Sequence, residues 1–123
     1  MDWKIELVPL AVTDVDRTRA FYEQVGWTVD FDQRVSESLR FVQVTPPGSA
    51  CSICFGEGLG MLPEGASQFI QVVVADADAA LAHLRERDIA CEGVDDQPWG
   101  RFAYFSDPDG NRWALQQIVR PAG

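Results

Sequence analysis

The chain has 123 residues, 46% of them hydrophobic, and a formal net charge of −9. That length and apolar content suit a single compact domain, 1–123, with a buried core, and the acidic balance excludes nucleic acid or an anionic membrane surface as partner, because such contact faces need Lys and Arg in excess. No stretch approaches the roughly 20 apolar residues of a membrane span, and Met1-Asp2-Trp3-Lys4 opens no signal sequence, so a cytoplasmic location is expected.

Ile5 to Val12 reads as a strand and Val15 to Val25 as a helix. Asp14 stands where a side chain accepts the free N–H groups of the first turn, Ala20, Phe21 and Val25 form the expected buried face, and Gly26 ends the helix. Trp27 to Phe31 is a second strand, and Leu39 to Thr45 with Ala50 to Phe55 reads as a hairpin through Pro46-Pro47-Gly48-Ser49. A linker bearing Gly and Pro follows, Gly56 to Ala66. Beyond it come a strand at Phe69 to Val74, a helix at Ala77 to Arg87, a short strand at Ala90 to Val94, and a last pair at Trp99 to Phe105 and Arg112 to Val119. The tail after Arg120 is expected to fray.

Asp107-Pro108-Asp109-Gly110 is turn chemistry, in which Asp caps, Pro fixes φ and Gly supplies φ > 0. Its two aspartates therefore read as scaffold rather than as a catalytic pair. In the strand that follows, Trp113 and Leu115 share one face while Arg112, Ala114 and Gln116 share the other. Cys51, Cys54 and Cys91 are odd in number, and Cys51 and Cys54 fall on opposite faces of a strand, so they read as small buried thiols. His83, the only histidine, stands beside Arg85, Glu86 and Arg87 and reads as a solvated helix residue.

The pattern Val12-Thr13-Asp14-Val15-Asp16 returns as Val74-Ala75-Asp76-Ala77-Asp78, with Ala20 and Ala82 at the same offset, so the chain is an internal duplication. Together with the Phe21-Tyr22 pair and the Asp107-Pro108-Asp109-Gly110-Asn111 turn, this duplication resembles the vicinal oxygen chelate superfamily, the glyoxalase, bleomycin-resistance and extradiol dioxygenase group. The resemblance implies an α+β fold of two tandem βαβββ modules, about 1–56 and 68–120 joined by a linker at about 57–67, whose mixed sheets curl around a central cavity. It also implies a homodimer.

Metal-dependent relatives carry a His seven residues before the capping Asp of each half and a Glu three residues after the Asn of the final turn. By that resemblance the ligand positions are Leu7, Phe69 and Ala114, with a fourth near Ser52 or Cys54. Hydrocarbon side chains cannot ligate a divalent ion, and a register slip that recruited Glu6 or Gln68 would turn the side chain to the other face. No metal and no cofactor are expected.

The strands that line the cavity in the family carry Phe41, Gln43, Cys54, Phe55, Trp99, Phe102, Tyr104 and Gln116, which are the expected ligand-binding residues, with vacated Leu7, Phe69 and Ala114 beside them. An apolar lining with a few hydrogen-bonding groups suits a flat organic molecule. The first expectation is a metal-independent protein that binds a small aromatic or polycyclic compound, in the manner of bleomycin resistance, with no catalytic residue assigned. The alternative is a metal-independent isomerase, cyclase or lyase acting on a natural product, for which Tyr104, Arg101 and Glu57 are the acid–base candidates. A glyoxalase- or dioxygenase-type metalloenzyme would require different residues at the three positions.

Overall fold

The computed structural model describes residues 1–119, so the tail after Arg120 lies outside the described residues. The chain divides into two compact units, Met1–Ser67 and the stretch from Gln68 onward. Unit one runs β1 (Leu7–Pro9), α1 (Val15–Val25), β2 (Thr28–Ser36), β3 (Leu39–Thr45) and β4 (Ser52–Glu57), and its sheet has the order β1-β4-β3-β2. Unit two repeats the plan with β5 (Phe69–Val73), α2 (Ala77–Glu86), β6 (Asp95–Gln97), β7 (Gly100–Ser106) and β8 (Arg112–Ile118), in the order β5-β8-β7-β6. In each sheet the first strand pairs in parallel with the last and the other neighbours are antiparallel. Two βαβββ modules with open, curled, mixed sheets make this the α+β fold expected from the sequence.

Both helices begin as their sequences dictate. The Asp14 carboxylate accepts from the Arg17 backbone N–H at 3.0 Å and the Asp76 carboxylate from that of Ala79 at 3.0 Å, which satisfies donors the first turn leaves open. Gly26 takes φ 97° and closes α1, a conformation that costs a residue with a Cβ. The buried residues of α1 are Val15, Thr18, Tyr22 and Val25. Ala20, expected on that face, is exposed, because helical periodicity carries the stripe from Thr18 to Tyr22 and past it.

Each helix covers one face of its sheet. Under α1 lie Val42, Val44, Ile53 and Phe55, with the Phe55 ring 6.1 Å from that of Tyr22. In unit two Ala103, Phe105, Trp113 and Leu115 are buried, as is Leu84 of α2, and Phe105 stacks on Trp113 at 6.2 Å. The same ion pair straps each helix start to its sheet: Arg40 of β3 reaches Asp16 at 2.9 Å, and Arg101 of β7 reaches Asp78 at 2.8 Å. Arg40 also binds Asp32 at 2.7 Å, and both of those side chains are mostly buried.

The final turn is held from inside. Asp107 accepts from the backbone N–H groups of Asp109 and Asn111, each at 2.9 Å, and from the Asn111 side-chain NH₂, while the Asn111 side-chain Oδ1 accepts from the Gln68 backbone N–H at 2.9 Å. This is the scaffold role read from the sequence.

Four elements differ from their expected bounds by two residues or more. β1 is shorter than Ile5–Val12, since only Leu7–Pro9 lies in register with β4. β2 runs on to Ser36 through Asp32, Gln33 and Arg34, because one face is solvated and Asp32 on the other is neutralised by Arg40. β4 takes in Gly56 and Glu57 from the expected linker. The strand expected at Ala90–Val94 forms instead at Asp95–Gln97, the residues that face β7, while the Arg85 guanidinium takes the carbonyls of Cys91 and Glu92. Among the described residues, no helix is long and apolar enough to cross a membrane.

Candidate functional site

Strand alternation assigns every side chain either to the helix face or to the open face of its sheet. In unit one Leu7 pairs with Ser52, Gln43 with Cys54 and Phe41 with Gly56, and these residues stand opposite the α1 side marked by Phe55 and Val42. Phe41 stacks on exposed Phe31 of β2 at 5.8 Å. A polar row runs beside this pair. The bulge in β2 places Asp30 where its carboxylate accepts from the Thr45 hydroxyl and, at 3.4 Å, from the Gln43 amide, and Thr45 lies 2.6 Å from the Ser52 hydroxyl.

In unit two the open face carries Phe69, Gln71 and Val73 from β5, Phe102 and Tyr104 from β7, and Arg112, Ala114, Gln116 and Ile118 from β8. Phe102 and Tyr104 stack along their strand at 5.9 Å. Gln116 donates to the Trp99 carbonyl at 3.2 Å and accepts from the Gln71 amide. It can lie flat because position 100 is glycine, where a Cβ would stand 2.8 Å from Gln116 Nε2. The Tyr104 hydroxyl reaches Asp95 at 3.5 Å, and burial, followed by the Asp95 charge, pushes its phenol above the usual value. A groove of about 960 Å³ adjoins this face, walled by the segment Ala90–Asp95 and by Tyr104, Ser106 and Arg112.

Seven of the eight expected ligand residues fall on or beside these two faces: Phe41, Gln43 and Cys54 in unit one, and Phe102, Tyr104, Gln116 and Trp99 in unit two. Trp99 precedes β7 and is 63% exposed. Phe55 is the correction. As the neighbour of Cys54 on an extended strand it must point the other way, and it lies fully buried against Tyr22.

The acid–base candidates divide as well. Arg101 lies on the helix face, bound to Asp78 and Asp96, and Glu57 pairs with Arg34, which leaves Tyr104 alone on an open face. Asp30, Gln71, Asp95 and Arg112 were not expected in the site. Arg112 shares its parity with Ala114 and Gln116 and was legible in the sequence, whereas nothing local announces the bulge that turns Asp30.

Register also identifies the fourth position left open between Ser52 and Cys54. Pro9 pairs with Cys54 and Gln71 with Ala114, so Cys54 is the counterpart of Ala114. The positions that the resemblance implied for metal ligands then correspond to Leu7 and Cys54 in unit one and to Phe69 and Ala114 in unit two. Cys54 is fully buried, its thiol lies 3.8 Å from the Met61 sulfur, and burial pushes its pKa up, away from the thiolate that binds metal. Among the described residues no three His, Cys, Asp or Glu side chains converge, and neither Leu7 with Cys54 in unit one nor Phe69 with Ala114 in unit two supplies a donor set that fits a divalent ion.

The sequence pattern of the Glyoxalase/Bleomycin resistance protein/Dioxygenase superfamily matches residues 4–115, and the chain belongs to that family. Among solved structures it is similar to TnmS3, an antibiotic binding protein from Streptomyces sp. CB03234, at 34% identity and a TM-score of 0.82, over 96% of this chain and 98% of that one. It is also similar to a glyoxalase/bleomycin resistance protein from the same organism, at 36% identity and a TM-score of 0.77, over 93% and 100% of the two chains. A stretch of 39 residues is 46% identical to the uncharacterized protein YaeR of Escherichia coli (strain K12), spanning 30% of each chain.

Proposed function

We propose that this protein binds a small aromatic or polycyclic organic molecule without a metal ion, sequestering it stoichiometrically in the cytoplasm, and that it works as a homodimer. The observation that carries the reading is the composition of the open faces. Stacked rings, amides and hydroxyls make up most of them, beside Asp30 and Arg112, and the positions the resemblance implied for metal ligands hold Leu7, Cys54, Phe69 and Ala114. Rings supply area for a flat ligand, and a few fixed polar groups orient it. The similarity to an antibiotic binding protein over nearly the whole chain supports the binding of a small organic molecule.

The enzyme reading draws less support, since Tyr104 is the only one of its candidates on an open face and its phenol stays protonated. A phenol in that state can donate a proton but is a poor base.

The first test is metal content. Protein purified without chelator and then offered excess Zn²⁺, Ni²⁺, Mn²⁺ and Fe²⁺ is expected to retain no stoichiometric ion, whereas one tightly held ion per chain would overturn the reading. A panel of polycyclic aromatics, titrated against tryptophan fluorescence with Trp99 as reporter, should show saturable quenching with each ligand recovered unchanged. A chemically altered ligand would make the protein an enzyme.

A further inference from the structure

Among the described residues, Arg112 is the cation on the open faces that no carboxylate engages. Its guanidinium carbon lies 4.6 Å from the centre of the Tyr104 ring and 5.7 Å from that of Phe69, so rings from both flanking strands lie against it. Other arginines are spent on structure: Arg19, Arg34, Arg40 and Arg101 each reach a carboxylate at 3.0 Å or less, and Arg85 holds backbone carbonyls. Arg112 is exposed, and among the described residues it forms no ion pair, in a chain whose net charge is −9.

The internal duplication separates what the fold needs from what one half adds. Asp16 and Asp78 recur, as do the Arg40 and Arg101 that bind them, because each module needs its helix strapped to its sheet. Arg112 does not recur. Phe69 pairs with Arg112 as Leu7 pairs with Ser52, so the first half has at this position a hydroxyl already engaged by Thr45. The charge is therefore a feature of the second open face alone.

We propose that Arg112 selects the ligand, and that the ligand carries an acidic oxygen, a carboxylate or an ionised phenol, on its planar ring system. The proposal rests on the aromatic-binding reading above and names the ligand class more closely. The cation–π contacts with Tyr104 and Phe69 engage no N–H acceptor, and with no carboxylate of the described residues paired to it the guanidinium keeps the N–H fork that matches a carboxylate. Ser106, paired in register with Arg112, adds a neutral hydroxyl beside it on the groove wall. The nearby Asp95 carboxylate is engaged by Tyr104 and Gln97. An aromatic acid lying in the groove would set its ring along Tyr104 and its anionic oxygens against Arg112.

The test compares naphthalene-2-carboxylate with naphthalene-2-carboxamide, which share a ring system and differ in charge, by calorimetry on the intact protein at neutral pH. The carboxylate is expected to bind about 10-fold tighter. Arg112→Gln should abolish the preference, so that the two probes bind equally, and Arg112→Lys should retain part of it. Circular dichroism should show both variants folded, since the side chain is exposed. Equal binding of the two probes to the unaltered protein, or a preference that survives in Arg112→Gln, would overturn the anion proposal and leave the aromatic reading standing. Binding of neither probe would overturn both.

Discussion

Gln116 shows how a single side chain is placed for binding. It is tied to the Gln71 amide and the Trp99 carbonyl, lies over Gly100, and is half-buried, so Gln116→Ala should weaken polycyclic ligand binding by roughly 5- to 30-fold with little loss of stability. Unchanged affinity in a fluorescence titration would remove it from the site. Asp32 belongs to the scaffold. Hydrogen bonds from Arg40, and then from Arg19, outweigh burial and hold its carboxyl down at about 2. Its folded pKa is thus depressed, so its contribution is present above the unfolded value near 3.9 and is lost as pH falls toward 2. Asp32→Asn should cost about 2 kcal/mol at neutral pH and flatten the acid limb between about pH 4 and pH 2, read from urea unfolding across that range. Neither this role nor the structural use of Arg101 was legible in the sequence, because an ion pair joins residues distant along the chain.

At the scale of elements, the β3–β4 pairing depends on one glycine. A Cβ at Gly56 would stand 1.9 Å from the Arg40 carbonyl oxygen, a backbone atom that cannot move aside without opening the ladder. Gly56→Ala is expected to destabilise the protein by at least about 2 kcal/mol, seen as a lower urea midpoint. A neutral outcome would mean that the strands tolerate a bulge there. The helix caps act locally: Asp14→Ala and Asp76→Ala should each cost about 1 kcal/mol in the same measurement. Caps, helix lengths and the final turn were readable because side chain and backbone partner lie within a few residues. The extent of β2 and the position of β6 were not, since a polar strand carries little hydrophobic pattern and its limits are set by the neighbour it pairs with.

For the molecule as a whole, the duplication accounts for the architecture, and the family membership follows from it together with the turn motifs. Exposed Phe69, Val73, Trp99 and Ile118 lie on or beside the open face of unit two, an apolar area suited to burial against a ligand or a second subunit. A homodimer should sediment at twice the mass of the chain at micromolar concentration, and a monomer that still binds ligand would show that one chain completes the site. With 19 acidic against 10 basic residues, no association with duplex DNA is expected at physiological salt, as measured by fluorescence anisotropy.

The sequence by itself determined the repeated strand–helix–strand plan, the caps, the turn scaffold and the hydrocarbon character of Leu7, Phe69 and Ala114, all of which follow from residue type and short spacing. Tertiary structure alone decided which side of each strand faces the helix, which removed Phe55 from the site, and the pairing register that makes Cys54 the counterpart of Ala114. It also set Arg112 between the rings of Phe69 and Tyr104. These depend on contacts between strands separated by dozens of residues, where register and pleat rather than local preference fix what meets what.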